Sequence, residues 1–224
     1  MVKKIDFNLS SSDLSALLCS RICHDIISPI GAINNGLELL DEEGLEDDAM
    51  ELIRSSAANA TARLKFARIA FGASGSINAP FELSEAEEVI KDFSAIDNKI
   101  ALSWTREKIT LPKQKIKLLL NLFMIAYVSL PRGGNLEILV KTSIDEECFF
   151  LNIRGSLVRL PEKFIRILSG EMDFQITAHD VQFYYTALLA CESDMALSYR
   201  FIDDQNLVLI ACKCTEDRDK LDNM

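Results

Sequence analysis

The first long pattern in the chain is a run of apolar residues that recur with helical spacing. Its members are Leu14, Leu18, Ile22, Ile26, Ile30, Ile33, Leu37 and Leu40. Ser10 or Ser11 can cap this helix, and Asp13 lies in its first turn. The stretch DEEGLEDD interrupts the pattern, with Gly44 as the predicted C′ residue. The sequence therefore predicts a long, capped first helix.

A second helical pattern runs from about Asp47 to Phe71 and is rich in alanine, which permits close helix packing. Two helices joined by a short turn form a hairpin, and a hairpin alone cannot bury both of its apolar stripes. A second copy of the hairpin would bury them in a four-helix bundle, so we expect a homodimer. The alternative is that a second domain of the same chain covers the stripe.

The pattern changes after GASGSINAP (72–80), the most linker-like stretch of the chain. Helical segments then alternate with five predicted strands: KIALSW, NLEILVKTSI, CFFLNIRG, MALSYRFID and NLVLIACK. The predicted fold class is α+β. Residues 1–75 form the dimerising hairpin, residues 80–215 form an α/β sandwich, and residues 216–224 form a polar tail.

Charge and hydropathy narrow the function classes. The formal net charge of the 224 residues is −10 and the pI is about 4.8, so nucleic-acid phosphates and anionic membrane surfaces would repel the chain. No uninterrupted apolar run reaches the roughly 20 residues of a spanning helix, and the N-terminal stretch lacks the apolar core of a secretory signal. We expect a cytoplasmic protein with neither a nucleic-acid nor a membrane partner.

The six cysteines are scattered among apolar neighbours, which predicts small buried thiols in a reducing compartment. Cys19 and Cys23 lie one helical turn apart, but no second pair of this kind accompanies them. The spacing therefore predicts no metal site.

His24, one of only two histidines, lies off the apolar stripe of the first helix. At about 100° per residue, Ile22, Ile26 and Ile33 fall nearly opposite it. Its own face carries Leu17, Ser20, Arg21, Ser28, Gly31 and Asn35. Pro29 and Gly31 both reduce helix stability, so two tolerated defects adjoin one exposed histidine. An exposed histidine usually has no function, and only its neighbours favour a functional interpretation.

The stretch HDIISPIGAI resembles the H-box of two-component sensor kinases, in which the histidine is phosphorylated on the first helix of a dimeric hairpin. LLLNLFMIAYVSLPRGGNLEI is similar to the kinase N-box. Asn121 matches its first asparagine, but Ile125 stands where a second asparagine would coordinate magnesium.

Two further elements of the kinase pattern are altered. FFLNIRGSLVRLP lies where kinases have D-x-G-x-G, with Gly155 in place of the first glycine but Ile153 and Leu157 in place of the aspartate and the second glycine. The last Gly-rich segment is replaced by AHDVQFYYTALLA, whose bulky side chains prevent the close backbone approach that phosphates need. The resemblance thus implies a degenerate kinase ATP-binding domain that takes no ATP.

From about Leu14 to Lys213 the chain resembles the ChpT family of histidine phosphotransferases, above all in CHDIISPIGAINNGLELL and FYYTALLA. The resemblance implies a dimeric phosphorelay intermediate that forms a phosphohistidine and is not an ATP-dependent kinase. The family accepts phosphate from the receiver domain of the hybrid kinase CckA and passes it to the response-regulator receivers of CtrA and CpdR. The resemblance implies no cofactor for this chain, because the receiver domain would supply the Mg²⁺.

The resemblance also implies roles for the residues around His24, whose Nε2 would be the in-line nucleophile. Asp25 would hold the other ring N–H or lie solvated on the helix. Arg21 would neutralise phosphate charge or simply pair with Asp25. Ser28 would add a hydrogen-bond donor.

A partner receiver would contact the same face of the first helix, with Leu17 as an apolar anchor. The other expected docking residues are Ser20, Gly31, Asn34 and Asn35. The second histidine, His179, is expected to have a structural or surface role.

Two other functions remain open from the sequence. One is an ATP-dependent sensor histidine kinase. The other is a non-catalytic module that binds receiver domains.

Overall fold

The fold is described from a computed structural model that covers residues 5–42, 44–72, 79–104, 109–142 and 147–213. Its elements in chain order are α1 (Ser11–Leu39), α2 (Glu46–Ala70), β1 (Pro80–Glu82), α3 (Leu83–Ser94), β2 (Ile100–Trp104), β3 (Thr110–Pro112), α4 (Lys113–Val128), β4 (Gly134–Thr142), β5 (Glu147–Arg154), α5 (Glu162–Leu168), α6 (Val181–Glu192), β6 (Met195–Asp203) and β7 (Asn206–Lys213). The predicted tail, 216–224, lies outside the described residues, as does 73–78 of the predicted linker.

The two predicted helices of the hairpin are confirmed. The hydroxyl of Ser10 caps α1 by accepting a hydrogen bond of 3.1 Å from the backbone N–H of Asp13. Gly36 is buried against α2, where an added Cβ would lie only 2.6 Å from Cγ1 of Ile53. The helices therefore pack too closely at Gly36 for a larger side chain.

The predicted C′ role of Gly44 is wrong. α1 ends at Leu39, with Leu40 as its C-cap, and the next two backbone N–H groups bond three residues back, to the carbonyls of Glu38 and Leu39. These tight bonds close the helix before the glycine is reached. Gly44 has a φ of +85°, so its freedom is used in the turn that leads into α2.

α1 also requires a revision of the hydropathy argument. It is the one helix in the described ranges that is long and apolar enough, by length and composition, to cross a membrane. Its polar residues are spread along the helix, so it contains no uninterrupted apolar run of that length. An arm of a helical hairpin passes the same test, and α1 packs along α2 as such an arm.

All five predicted strands are present, in a sheet of order β2-β4-β5-β7-β6. β2 runs parallel to β4, and the other neighbours are antiparallel. The alternating buried residues of the central strands, such as Leu136 and Ile138 of β4 and Leu151 of β5, belong to the main core. The sequence missed the antiparallel pair of β1 and β3, because three-residue strands are too short to show a period.

The hairpin and the sheet domain share this main core. Phe66, Ile69 and Ala70, near the end of α2, pack with residues of α3, α4 and the sheet. The rest of the hairpin keeps an exposed apolar face, on which Ile27 is 70% and Leu64 51% exposed. The second domain thus covers the end of α2 and leaves much of the stripe open.

Asn121 of α4 links the two parts with hydrogen bonds. Its side chain is fully buried, and its Nδ2 donates to the carbonyls of Ala70 at 3.2 Å and Lys117 at 2.8 Å. The residue that matches the first asparagine of the kinase N-box therefore holds the last residue of α2 in this protein.

A second apolar cluster joins the N-terminal segment to α5 and α6. Tyr184 is its largest buried side chain; its hydroxyl accepts a hydrogen bond from the backbone N–H of Leu9 at 3.0 Å. Phe7 packs edge-to-face on the Tyr184 ring, with centroids 5.4 Å apart. Leu17 packs against the same cluster and is half-buried.

The prediction for the cysteines is wrong in two respects. Cys148 and Cys212 are buried, but they face each other on β5 and β7 and form a disulfide. Cys19, Cys23 and Cys191 are exposed thiols. The first two lie on the outer face of α1, where apolar neighbours in sequence do not mean burial. The cysteines therefore do not support a reducing compartment.

The role of Asn121 can be tested by its removal. We expect Asn121→Ala to lower the free energy of unfolding by about 1–3 kcal/mol, because it leaves a buried carbonyl without its donor. Urea denaturation followed by circular dichroism measures this. Asn8→Ala, at an exposed position, should change stability by less than about 0.5 kcal/mol. Equal stabilities of the two variants would contradict the assignment.

Candidate functional site

His24 lies near the middle of α1 with 63% of its side chain exposed. The predicted exposure of the imidazole is therefore confirmed. Pro29 lies five residues further along and lacks the N–H that would bond to the carbonyl of Asp25. An exposed imidazole on a helix with a locally weakened backbone is therefore the starting point of the site.

Asp25 bridges the imidazole and a guanidinium. One carboxylate oxygen, Oδ1, lies 3.4 Å from Nδ1 of His24. The other, Oδ2, accepts a hydrogen bond of 2.8 Å from Nε of Arg21, one turn earlier on α1. Both partners of this ion pair are substantially shielded from solvent. The arrangement favours the tautomer in which Nδ1 carries the proton and Nε2 is unprotonated.

The second histidine lies beside the first. The rings of His24 and His179 are 4.9 Å apart between centroids, with an interplanar angle of 81°. Nη1 of Arg21 donates to the backbone carbonyl of His179 at 3.2 Å. Arg21 thus contacts both Asp25 and the segment that carries His179, joining α1 to the start of α6.

Asp180 fixes the segment that carries His179. Its Oδ2 accepts hydrogen bonds from the backbone N–H and the hydroxyl of Thr177, at 3.2 and 2.6 Å, and from Nζ of Lys163 at 2.7 Å. Burial raises the pKa of this carboxyl, but the bonds from Lys163 and Thr177 outweigh burial and hold the pKa below its ordinary value. The carboxylate therefore stays charged and keeps the turn closed at neutral pH.

A small cavity of about 20 Å³ lies between α1, α2 and α6. Asp25 and Arg63 line it, together with Gln182, which is buried and whose Nε2 has no hydrogen-bond partner among the described residues. The cavity has room for one water molecule. Gln182 of α6 therefore lies near the carboxylate of Asp25, which faces His24.

The other predicted site residues lie along α1. Ser20, Ser28, Asn34 and Asn35 are exposed, whereas Gly31 is half-buried. An added Cβ at Gly31 would meet no atom within 4 Å, so packing within this chain does not require glycine there. The half-buried position of Leu17 leaves only part of that side chain for a partner.

The segment that stands in place of the last kinase Gly-rich segment is packed with side chains. Gln182 and Tyr184 are buried, and Phe183 and Tyr185 pack against the main core. Burial, with a smaller contribution from the charge of Glu192, raises the pKa of Tyr185 to about 12. Among the described residues, no group of three or more His, Cys, Asp or Glu side chains could hold a metal ion.

Sequence reasoning missed the contact between the two histidines. They are 155 positions apart, and no spacing rule connects α1 with the turn before α6. The only signal in the sequence is that the chain contains just two histidines. Their contact becomes visible only in the folded structure. The prediction of a surface role for His179 omitted this neighbour.

Comparisons with known proteins agree with the fold. Residues 83–205 match the family model of the histidine phosphotransferase C-terminal domain, which defines the chain as a histidine phosphotransferase. It is also 50% identical over 191 residues to the protein phosphotransferase ChpT of Brucella abortus (strain 2308), covering 85% of this chain and 91% of that protein. The chain belongs to the ChpT family of histidine phosphotransferases.

Two solved structures are also similar. A bacterial phosphotransferase superimposes with a TM-score of 0.86 at 46% identity, covering 93% of this chain and all of that one. The histidine kinase AdeS of Acinetobacter baumannii gives a TM-score of 0.46 at 12% identity, covering 87% of this chain and 98% of that one. The first match supports the arrangement of helical hairpin and sheet domain described above.

Proposed function

We propose that His24 is the phosphoacceptor of a phosphorelay and that it carries the phosphoryl group between two receiver domains. The observation that carries the proposal is the exposed imidazole whose Nδ1 faces the carboxylate of Asp25 at 3.4 Å. The outward nitrogen, Nε2, is then free for an in-line attack on phosphorus.

The proposed step is a reversible transfer. The Nε2 lone pair attacks the phosphorus of the receiver's aspartyl phosphate, a new N–P bond forms, and the P–O bond to the receiver's carboxylate breaks. Asp25 stabilises the positive charge that develops on the ring and can take the Nδ1 proton. The same reaction run in reverse then transfers the phosphoryl group from Nε2 to the carboxylate of a second receiver. Arg21 keeps the carboxylate oriented.

The proposed partners are the receiver domain of a hybrid histidine kinase upstream and response-regulator receivers downstream, of the CckA to CtrA and CpdR type. Ser20, Ser28, Asn34 and Asn35 would contact them along α1, with Leu17 at the edge of this surface. We propose no cofactor for this chain, and the Mg²⁺ that the reaction needs would belong to the receiver.

We propose no ATP-dependent step. The side chains that pack the region of the former nucleotide site support this, as does Asn121, whose amide is engaged with the end of α2. A sensor kinase reaction would need that space, and it would need the asparagine that Ile125 replaces.

We also propose that the chain functions as a homodimer. Ile27 is 70% exposed, and Leu37 and Leu64 are each 51% exposed, on the outer face of the hairpin. A second hairpin would bury this face in a four-helix bundle.

The cytoplasm remains our proposed location because receiver domains are the proposed partners, although the Cys148–Cys212 disulfide counts against it.

The role of His24 can be tested in a reconstituted relay. A radiolabelled phospho-receiver, this protein and a second receiver are mixed, and label on the second receiver is measured. We expect His24→Gln to reduce transfer by at least about 10³-fold and Ser198→Ala, at an exposed position of β6, to transfer normally. Transfer by the His24 variant would refute the mechanism. Label acquired from ATP alone would favour a kinase.

The docking surface can be tested with two glycines of α1. We expect Gly31→Leu to raise the KM for the receiver about tenfold without loss of stability, because a Cβ at this position meets no atom of this chain within 4 Å and a docked partner would meet the new side chain. Gly36→Ala is the matched control. It should cost about 1–3 kcal/mol of stability, because its Cβ would clash with Ile53, and it should leave that KM unchanged. An unaltered KM in Gly31→Leu would contradict the docking proposal.

The dimer can be tested by placing charge on the exposed apolar face. We expect the double variant Ile27→Asp, Leu37→Asp to sediment as a monomer at micromolar concentration, because burying two carboxylates would weaken association by at least about 100-fold. Ser198→Asp, on the edge strand β6 of the five-stranded sheet, should sediment as the wild type does. A wild-type chain that sediments as a monomer would refute the proposal.

A further inference from the structure

The two histidines of the chain form a pair at the proposed phosphoacceptor. The His179 ring packs edge-to-face with the His24 ring, with centroids 4.9 Å apart. Both side chains are exposed, so neither is forced into the contact by burial in a core.

The His179 side of the pair rests on a rigid support. The residue lies at the end of a turn that Asp180 closes through Thr177 and Lys163. Its backbone carbonyl accepts the Nη1–H of Arg21 at 3.2 Å. The backbone at His179 is therefore held by the sheet domain and by α1, whereas the His24 ring projects from the exposed face of α1.

We propose that His179 is a positioning residue for His24. Its ring limits the rotamers of the phosphoacceptor to those in which Nδ1 faces Asp25 and Nε2 points outward. The inference rests on the proposed function of His24 and adds a role for a residue of the degenerate domain.

The physical reason is the freedom of an exposed side chain. A ring that is 63% exposed can occupy several staggered rotamers, and only some of them direct Nε2 toward a docked receiver. An aromatic edge-to-face contact shifts such a population by about 2- to 10-fold. Asp25 contributes one further contact at 3.4 Å, and His179 restricts the ring from a second direction.

The contact can be observed directly, because the chain contains only two imidazoles. Untagged full-length protein labelled with ¹⁵N-histidine should show two ring systems by NMR. We expect His179→Ala to move the remaining His24 ring signals. The ratio of the Nδ1–H tautomer to the Nε2–H tautomer should fall by about 2- to 10-fold. His24 ring signals that do not move would overturn the inference.

Kinetics then separate positioning from docking. We expect His179→Ala to lower kcat of transfer from the phospho-receiver about 2- to 10-fold with KM unchanged. His179→Phe should restore kcat, because it keeps a ring at this position, whereas His179→Gln should not. Gln175→Ala, on the same loop and exposed, is the matched control. A rise in KM alone, or rescue by Gln but not by Phe, would overturn the positioning role.

The outcomes distinguish this inference from the proposed function. If the His24 variant still transfers phosphate, the proposed function fails whatever His179 does. If only the His179 variants behave as wild type, in both the NMR spectra and the kinetics, the phosphoacceptor stands and the positioning role fails.

Discussion

The junction between the end of α2 and the sheet domain is the constraint on which the site depends. Phe66 and Ile69 of α2 lie in the main core, and Asn121 bonds to the carbonyl of Ala70. Because the hairpin is attached there, and again through Tyr184 at the N-terminal segment, the start of α6 lies against α1. These attachments, together with the hydrogen bond from Arg21 to the carbonyl of His179, hold His179 beside His24.

Bulky side chains of α6 also build this junction. A glycine-rich lid would leave space for phosphates next to α4. Gln182 and Tyr184 stand in the corresponding segment here, and both are buried between the sheet domain and the hairpin. The start of α6 therefore supports α1, the helix that carries His24.

Periodicity predicted the hairpin, the five strands of the sheet and the exposure of His24, because each extends over enough residues to show a period. It did not predict β1 and β3, which are too short, or the end of α1, where bonds three residues back stop the helix before Gly44. The pairs Cys148–Cys212 and His24–His179 join positions far apart in sequence. Only the assembled topology brings them together, so no local pattern could reveal them.

Two glycines of α1 show how a structure separates the needs of the fold from those of a partner. Both reduce helix stability relative to alanine. At Gly36 the reason lies within the chain, because a Cβ would collide with Ile53. At Gly31 a Cβ would meet nothing within 4 Å, so the fold gains nothing from glycine at that position. Gly31 lies two turns beyond His24, on the same polar face. Within this chain the two glycines therefore differ, since close packing accounts for Gly36 and leaves Gly31 with open space outside α1.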